Sequence, residues 1–320
     1  MKALLVDPVP QVLVDTMRRQ MPAGHVLEAV ADDSEEELRR QAADADVFLV
    51  VHRTIDAAAL AHAPNLRFIQ RFGVGYDNID VDAARAAGVL VAYAPGANAA
   101  AVAEHAVMLM LAVLRRLAYS EEATRRGEWP FQEMLAARVR DLDGAAVGLV
   151  GMGATAKAVA ARLRPFGSAV SYFSRRRLDP DVEHDLGVPY TPLPALLAGS
   201  DVVSLHLPLT DETRGMFGRD ALAQMKPGAV LVNTARGALV DEAALHDAVA
   251  FGHLFGAGLD VLADEAAGGN PFADLPNVVV TPHYAGASAG AQARIMRTGI
   301  ANVMRFLAGE RPEHLVERQP

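Results

Sequence analysis

The chain has 320 residues, which is long enough for two domains that each bury a core of their own. Hydrophobic residues make up 51% of it and charged residues 22%, a composition of folded rather than disordered proteins. The net charge of −9 argues against a general binder of nucleic acids or acidic membranes. The absence of cysteine excludes disulfides, thiolate metal sites and cysteine nucleophiles.

Short apolar runs alternate with helical patterns over the first 95 or so residues. Strands are predicted at residues 3–6, 26–30, 47–51, 68–70 and 89–92. Helices are predicted between them at residues 11–20, 34–42, 56–61 and 81–87. This alternation predicts an open parallel sheet with helices on both faces. After Pro95 and Gly96, an apolar helix is predicted at residues 101–117, which we expect at a domain or subunit boundary.

A second series of strands and helices follows a charged stretch, residues 119–140, that carries the only tryptophan, Trp129. Its strands are predicted at residues 145–150, 169–173, 202–205, 230–233, 255–259 and 278–281. A last helix, at residues 289–307, is expected to return to the first sheet. The sequence therefore predicts an α/β protein with two doubly wound parallel-sheet domains, one at residues 1–98 plus 286–320 and one at residues 99–285.

The N-terminal residues enter a predicted strand and meet a charge at Asp7, which is unlike a signal peptide. The most apolar helical stretch contains Glu104 and His105 and is too short to span a bilayer. We therefore expect a soluble, cytoplasmic protein without a membrane or nucleic-acid partner.

A glycine-rich turn joins the first two strands of the second series. It fits the pattern G-x-G-x-x-G/A with Gly151, Met152, Gly153, Ala154, Thr155 and Ala156. Such glycines let the backbone approach a pyrophosphate, whose charge then faces the positive end of the helix predicted at residues 155–166. Because the pattern opens a helix directly after a buried strand, it predicts a dinucleotide-binding domain of the Rossmann kind. A tight turn without a ligand is the alternative.

The end of the second strand in this unit indicates which nicotinamide cofactor binds. Where a carboxylate would accept hydrogen bonds from the ribose hydroxyls of NAD, the chain has Ser174, Arg175, Arg176 and Arg177. A hydroxyl and arginines suit a 2′-phosphate, which a carboxylate would repel. The sequence favours NADP(H), with Arg175 and Arg176 as the expected contacts. NAD(H) and a solvated basic turn stay open as alternatives.

Polar residues also follow later strands, at the edge where open α/β sheets bind ligands. Arg236 follows one strand, Asp260 ends the next with Glu265 shortly after it, and His283 follows the last. An arginine can hold the carboxylate of a 2-oxo acid, and a histidine can supply a proton to its carbonyl oxygen. A neighbouring carboxylate would orient the histidine and favour its charged form. Taken singly, such residues are more often surface hydrogen-bonding groups.

Other candidates remain less defined. A glycine-rich strand end at residues 72–75 could offer backbone N–H groups to an anion, and Arg53 and Arg71 could meet a second anionic group of a substrate. No histidine shows the spacing of a metal ligand, and we interpret most of them as structural. His52 and His105 stay ambiguous.

Seven segments together resemble the D-isomer-specific 2-hydroxyacid dehydrogenase family over almost the whole chain. They are RFGVGYDNID (71–80), GANAAAVAEHAVMLML (96–111), VGLVGMGATAKAVA (147–160), VSLHLPLTDETRGMF (203–217), LVNTARGALVDEAAL (231–245), GAGLDVLADE (256–265) and VVTPHYAG (279–286). The resemblance implies reduction of a small 2-oxo acid to the D-2-hydroxy acid by a homodimer. Each subunit would have a flavodoxin-like substrate domain, a Rossmann domain and an active site between them.

The resemblance also implies roles for individual residues. Arg236 would clamp the substrate, His283 would be the acid–base group and Glu265 its partner, while the amides of Val74 and Gly75 would bind the substrate carboxylate. The positions expected to contact the cofactor are Val102, Gly151, Met152, Gly153, Ala154, Thr155, Ser174, Arg175, Arg176, His206, Pro208, Thr213, Thr234, Ala235, Asp260 and Gly286.

Two positions depart from the family pattern. Ala156 replaces the usual third glycine, which the fingerprint tolerates, and Ser174 replaces the usual aspartate. The second change resembles the NADP-using glyoxylate/hydroxypyruvate reductase branch. A nucleotide-sensing binding protein, like the corepressors of the same fold, is the alternative function, because those proteins also retain the Arg, Glu and His positions.

Overall fold

The computed structural model describes residues 1–265 and 268–316, and the chain in it divides into two compact units. The first comprises Met1–Asn98 with the segment that starts at Ala289, and the second comprises Ala99–Ser288. Each unit is built on one parallel β-sheet with helices. The predicted fold class is therefore confirmed, while the roles of the two domains stay a prediction.

The first unit contains a parallel sheet and short crossover helices. Its strands are β1 (Lys2–Leu5), β2 (Val26–Ala29), β3 (Val47–Val50), β4 (Phe68–Arg71) and β5 (Leu90–Ala92). Its helices up to residue 98 are α1 (Gln11–Arg18), α2 (Glu35–Ala42), α3 (Ala57–Ala61) and α4 (Val81–Ala86). The strand order is β2-β1-β3-β4-β5, with buried apolar side chains packed on both faces. The side chains of Ser34, Asp56 and Asp80 cap α2, α3 and α4 by accepting a first-turn amide hydrogen bond.

The second unit starts with three helices, α5 (Ala99–Leu114), α6 (Leu117–Arg125) and α7 (Phe131–Ala136). Strands and helices then alternate: β6 (Ala146–Val150), α8 (Ala154–Leu163), β7 (Ala169–Phe173), α9 (Pro180–Leu186), α10 (Leu193–Gly199), β8 (Val202–Leu205), α11 (Arg219–Gln224), β9 (Val230–Asn233), α12 (Glu242–Ala250), β10 (Gly256–Leu259) and β11 (Val278–Val280). Helix α13 (Ala289–Leu307) belongs to the first unit, where it packs on β4.

The strand order of the second sheet is β11-β10-β9-β8-β6-β7, and its paired strands are parallel. The chain runs outward from β6 to β7 and then crosses to β8 on the other side. This reversal makes a crevice beyond the carboxyl ends of β6 and β8, the usual ligand-binding position in such sheets.

Helix α5 is buried because it is apolar around most of its circumference. It packs on β9, β10 and α8. A Cβ atom at Gly258 would lie 2.9 Å from Cβ of Leu109, so the glycine lets the helix lie close to the strand. At 16 residues α5 is shorter than a bilayer span, and no helix in the described part of the chain is both long and apolar enough to cross one.

Two predicted helix ends were wrong for identifiable reasons. The helix predicted at residues 101–117 ends at Leu114. Arg116 interrupts it with a left-handed backbone conformation (φ of 49°), and α6 starts directly after this residue. The helix predicted at residues 155–166 ends at Leu163 and tightens into a 3₁₀ turn at Arg164–Phe166. Pro165 lacks the N–H that the next α-helical hydrogen bond requires.

Candidate active site

The carboxyl ends of the parallel strands in the second unit lie along one edge of the sheet. In strand order from β11 to β7, the residues that follow these ends are His283, Asp260, Arg236, His206, Gly151 and Ser174. The strands themselves are largely apolar and buried, so polar side chains of the candidate site concentrate in the loops after them.

Gly151 makes the turn after β6, and two features require a glycine there. Its φ of 98° is a backbone conformation that L side chains rarely adopt. A Cβ atom would also overlap the backbone carbonyl of His206. Gly151 N donates to Phe173 O at 2.7 Å and His206 N donates to Val150 O at 2.7 Å, so the turn lies between the ends of β7 and β8.

Gly153 precedes helix α8 and serves a different purpose from Gly151. A Cβ atom at Gly153 would meet no atom of the described residues within 4 Å, so internal packing does not require the glycine. Helix α8 begins with Ala154 and Thr155, and no side chain in the described part of the chain caps its N-terminus. Met152 and Ala156 are buried beneath it. The turn therefore offers open space and an uncapped helix N-terminus, the two features that a pyrophosphate uses.

Arg177, in the loop after β7, is bound within the unit. It donates from Nε and Nη2 to the Glu183 carboxylate at 2.8 Å in each case, and the Tyr172 hydroxyl donates to the same carboxylate at 2.6 Å. The hydrogen bonds from Arg177 and then Tyr172 lower the pKa of Glu183 to about 2. Arg177 also lies over the ring of Tyr190. These contacts anchor the end of the loop.

Arg175, Arg176 and Arg177 are all exposed, but the side chains of Arg175 and Arg176 make no hydrogen bond or ion pair with the residues that the structure describes. The Ser174 hydroxyl donates to the carbonyl of Arg176, which curls the loop back on itself. The cationic side chains at positions 175 and 176 are thus available to an anion at this edge of the sheet.

His206 follows β8 in the next loop. Although the residue is only half-buried, its imidazole is desolvated, and burial lowers its pKa to about 4. The ring is therefore neutral near pH 7, with Nε2 3.0 Å from Oγ of Ser204. Further along, Thr213 Oγ1 donates to Pro208 O at 2.8 Å and accepts from Thr210 N at 2.8 Å, which closes the loop.

The Arg236 loop is shaped by the side chain at the end of β9. Asn233 Nδ2 donates to Arg236 O at 2.8 Å, and Asn233 Oδ1 accepts from Ala235 N at 3.0 Å. The half-buried Arg236 donates from Nη1 to Ala235 O at 2.7 Å. Thr234 Oγ1 is buried and has no hydrogen-bond partner among the described residues, which leaves a polar atom in the loop for a ligand to satisfy.

Gly237 brings the Arg236 loop against the loop that carries Glu265. A Cβ atom at Gly237 would overlap the backbone of Leu262 and Ala263. The second loop is held in turn by Glu242, whose Oε1 accepts from Ala263 N at 2.6 Å. The glycine therefore allows two loops with predicted catalytic residues to pack backbone to backbone.

His283 and Glu265 form the pair that the sequence predicts. His283 Nδ1 lies 2.8 Å from Glu265 Oε2, and the two side chains are 49% and 43% exposed. His283 has a φ of 50°, an uncommon conformation for a residue with a side chain. With Nδ1 bound to the carboxylate, Nε2 is the ring nitrogen that can exchange a proton with a substrate.

The Asp260 carboxylate organises the segment around His283. It is 1% exposed and accepts from Thr281 Oγ1 at 2.6 Å, Ala285 N at 2.9 Å and Tyr284 N at 3.1 Å. Burial raises its pKa, but hydrogen bonds from His105, Thr281 and Ala285 outweigh burial and hold the pKa below its ordinary value. Asp260 is therefore ionised at neutral pH.

The remaining predicted residues are placed as follows. Val74 and Gly75 lie in the first unit, in the loop after β4, and both are half-buried. In the second unit, Val102 is buried on α5, Ala235 lies in the Arg236 loop and Gly286 ends the segment after His283. The sequence interpretation missed Thr281 and left His105 ambiguous. The signal for His105 was its place as a polar residue on an apolar helix.

Comparison with known proteins places this geometry in a family. The profile described as "D-isomer specific 2-hydroxyacid dehydrogenase, NAD binding domain" matches residues 107–285. The chain is 43% identical over 268 residues to D-3-phosphoglycerate dehydrogenase of Mycobacterium bovis, covering 83% of this chain and 50% of that protein. It thus spans about half the length of the curated phosphoglycerate dehydrogenases that it first matches.

Two further relatives match over more of their length. Glyoxylate reductase of Korarchaeum cryptofilum is 41% identical over 268 residues, which cover 83% of this chain and 80% of that protein. The crystal structure of a glyoxylate reductase from Paecilomyes thermophila superposes with a TM-score of 0.90 at 30% identity, covering 100% of this chain and 99% of that one.

We expect the Glu183→Gln variant to be less stable than the wild type at pH 7, because the amide loses its ion pair with Arg177. Because the pKa of Glu183 is lower in the folded state than its ordinary value of 4.5, the carboxylate stabilises the folded state at pH values above 4.5. This contribution disappears as the pH falls through about 2. The gap between the urea midpoints of the two proteins should therefore narrow from pH 5 toward pH 2. A gap that does not change over this range would contradict the assignment.

Proposed function

The chain belongs to the D-isomer specific 2-hydroxyacid dehydrogenase family, and on that premise we propose that it reduces a small 2-oxo acid to the D-2-hydroxy acid with a nicotinamide cofactor. The observation that carries the proposal is the 2.8 Å contact of His283 with Glu265 at the carboxyl edge of a dinucleotide-binding sheet. Arg236, at the end of a neighbouring strand, supplies the cation for the substrate.

The chemistry divides between the cofactor and these three residues. When bound, the nicotinamide supplies the hydride that the carbonyl carbon of the substrate accepts. Arg236 holds the substrate carboxylate with its planar guanidinium and polarises the carbonyl. His283 transfers the proton on Nε2 to the carbonyl oxygen as negative charge develops there. Glu265 orients the ring through its contact with Nδ1. We also propose that amides of Val74 and Gly75 bind the carboxylate.

Three features of the second unit support the binding of a nicotinamide cofactor there. The open space at Gly153 and the uncapped start of α8 suit a pyrophosphate, and the unpartnered Thr234 hydroxyl suits a polar group of the cofactor. We assign the nicotinamide end to the loops after β9 and β10, near Ala235 and Asp260. The residues assigned to the rest of the cofactor are Val102, Gly151, Met152, Ala154, Thr155, Ser174, Arg175, Arg176, His206, Pro208, Thr213 and Gly286.

The loop after β7 supports NADP(H) over NAD(H). It lacks a carboxylate that would repel a 2′-phosphate, and Arg175 and Arg176 are exposed cations. Glu183 is already paired with Arg177, and Glu212, which interacts electrostatically with Arg175, accepts a hydrogen bond from Thr210 Oγ1. The Ser174 hydroxyl can turn from the Arg176 carbonyl to a phosphate oxygen.

Two arginines in the first unit already make contacts within the protein, which supports a substrate with a single anionic group. Arg53 donates from Nε to Val6 O at 2.6 Å and lies 3.6 Å from the Asp33 carboxylate. Arg71 donates from Nη1 to Phe72 O at 2.8 Å. Because internal contacts engage both guanidiniums, we favour glyoxylate or hydroxypyruvate over a phosphorylated 2-oxo acid. The similarity to glyoxylate reductases agrees with this choice.

Exposed apolar side chains around α6 and α7 support a homodimer. Trp129 is 84% exposed, and Leu117, Phe131 and Leu135 are also exposed on the same stretch of chain. Apolar surface in this concentration is typical of a protein–protein interface. We propose that a second copy of the chain covers it.

The central test of the function is turnover of small 2-oxo acids and its dependence on His283. Wild type should oxidise NADPH in the presence of glyoxylate or hydroxypyruvate, and His283→Ala should lower kcat about 10²–10⁴-fold because the proton donor is lost. Binding of NADPH, followed by its fluorescence, should be retained in the variant. The control is His246→Ala, which removes an imidazole that contacts Asp274 on the surface.

Two outcomes would count against this mechanism. Binding of NADPH without turnover of any 2-oxo acid in a panel that includes pyruvate and bulkier acids would favour a nucleotide-sensing protein. Glu265→Gln should lower kcat while NADPH still binds, because a neutral amide orients the His283 ring less firmly than the carboxylate does. An unchanged kcat in that variant would remove Glu265 from the mechanism.

The cofactor preference can be tested by a double substitution. Wild type should prefer NADPH by about tenfold to roughly 10⁴-fold in kcat/KM, because one or two hydrogen bonds to a charged group contribute roughly 1.5–3 kcal/mol each. Ser174→Asp combined with Arg175→Ala should move the preference toward NADH more than either change alone. Arg164→Ala, at another exposed arginine of this unit, is the control. Equal use of both cofactors by the wild type would contradict the assignment.

The dimer can be tested by placing charges on the apolar surface. Wild type should sediment as a dimer at micromolar concentration, and Trp129→Asp combined with Phe131→Asp should weaken the dimer roughly 100-fold or more, since both aromatic side chains would lose burial. Phe251→Asp is a matched control, because Phe251 is equally exposed, at 84%, elsewhere in the unit. A wild type that is monomeric, or a double variant that dimerises normally, would refute the proposed interface.

A further inference from the structure

His105 is a polar residue on the buried face of α5, where its neighbours along the helix are apolar. The buried residues of α5 are otherwise Ala99, Ala101, Val102, Ala103, Ala106, Val107, Leu109, Met110, Ala112, Val113 and Leu114. His105 itself is 7% exposed. A leucine at this position would suit the pattern of the helix, so the histidine requires an explanation in its contacts.

The imidazole of His105 is aimed at the end of β10 and the start of the segment after β11. Its Nε2 lies 2.9 Å from Thr281 Oγ1 and 3.3 Å from Asp260 Oδ1. Its ring packs edge-on against Tyr284, with the centroids 4.8 Å apart. One helix residue therefore contacts three residues of the region that surrounds His283.

The position of the protons follows from counting donors. Thr281 has one hydroxyl proton, and its 2.6 Å contact with the Asp260 carboxylate is a charge-assisted hydrogen bond that uses it. The Thr281 oxygen can then only accept from His105. Whether His105 Nε2 donates to Thr281 or to Asp260, it must carry a proton. The histidine is therefore a hydrogen-bond donor to the buried anion and its partner.

Asp260 passes this restraint to His283 through the backbone. Its carboxylate accepts the amides of Tyr284 and Ala285, and its own carbonyl accepts His283 N at 2.8 Å. His283 thus lies between groups that Asp260 holds on both sides. These hydrogen bonds maintain the φ of 50° at His283, which an unrestrained residue would rarely adopt.

We propose that His105 is a positioning residue, which fixes the Asp260 carboxylate and thereby holds His283 in contact with Glu265. This inference deepens the proposed function and rests on it for its catalytic consequence. Loss of the donor would let the Asp260 carboxylate turn and the segment of residues 281–285 relax. A small displacement of an acid–base group from its reacting geometry can lower the rate about 100-fold.

The test compares three variants with the wild type. His105→Leu removes the donor and keeps an apolar volume, His105→Gln keeps an N–H group near the position of Nε2, and Thr281→Val removes the hydroxyl between His105 and Asp260. Glu104→Gln, at the neighbouring exposed residue of α5 that pairs with Arg162, is the control. The measurements are kcat and KM for glyoxylate with NADPH, the thermal midpoint, and the NMR signal of His283 Nδ1 with isotope-labelled histidine, which reports its contact with Glu265.

We expect His105→Leu to lower kcat roughly 10–100-fold with a smaller change in KM, and to change the NMR signal of His283 Nδ1 as its contact with Glu265 loosens. His105→Gln should stay within about threefold of the wild-type kcat. Thr281→Val should act like His105→Leu, and the two changes together should cost less than the product of their separate effects.

A folded His105→Leu with wild-type kcat and a wild-type NMR signal of His283 Nδ1 would overturn the proposal, as would a folded His105→Gln as impaired as His105→Leu. If His105→Leu does not fold, Thr281→Val decides by the same measurements. The NMR signal separates this inference from the function. A changed signal in the variant with no wild-type turnover would refute the dehydrogenase activity alone, whereas wild-type turnover with an unchanged signal in the variant would refute the role of His105 alone.

Discussion

Parallel strands deliver their ends to one edge, and in the second unit this constraint assembles nearly every group on which the proposed chemistry depends. Strands buried on both faces satisfy their backbone within the sheet and leave little room for polar side chains. Polar groups therefore collect where the chain leaves the sheet. The strand order reverses at β6, which makes a crevice at this edge. Gly151 lies on one side of the crevice, where the absence of a Cβ atom lets its backbone contact the backbone of His206.

At this edge of the sheet, the buried charge of Asp260 restrains the loop that follows β11. Asp260 is ionised although it is 1% exposed, because side-chain and backbone donors surround it. An ionised carboxylate that is buried without hydrogen-bond donors has a large desolvation cost. The donors to Asp260 in the segment after β11 are therefore held in place beside it. By contrast, Glu265 and His283 are about half exposed and could not fix one another through burial. The buried Asp260 carboxylate therefore restrains the backbone of this segment, and the exposed pair of His283 and Glu265 depends on that restraint for its geometry.

The fold class and most strands could be predicted because their signals are local: apolar runs, glycine turns and one clear fingerprint. The family resemblance is likewise confirmed by the comparisons. The short helices α6, α7 and α9 to α12 were not predicted. Four of them, α6, α7, α10 and α11, begin without a capping side chain from the described residues, whereas such caps mark the starts of the equally short α2, α3 and α4. The partner of Arg177 and the function of His105 could not be predicted either. The first depends on how the loop after β7 folds back on α9, which places Glu183 beside Arg177, and the second on Asp260, 155 residues further along the chain.

The loop after β7 has consequences for how this protein could change over time. At its base Tyr172 and Arg177 bind Glu183, whereas the side chains of Arg175 and Arg176 at its tip make no hydrogen bond or ion pair with the described residues. Substitutions at the tip should therefore change the stability of the domain little. On the proposed assignment, single substitutions there could shift the preference between the two nicotinamide cofactors in a protein that still folds. Cofactor preference could then evolve separately from the stability of the domain.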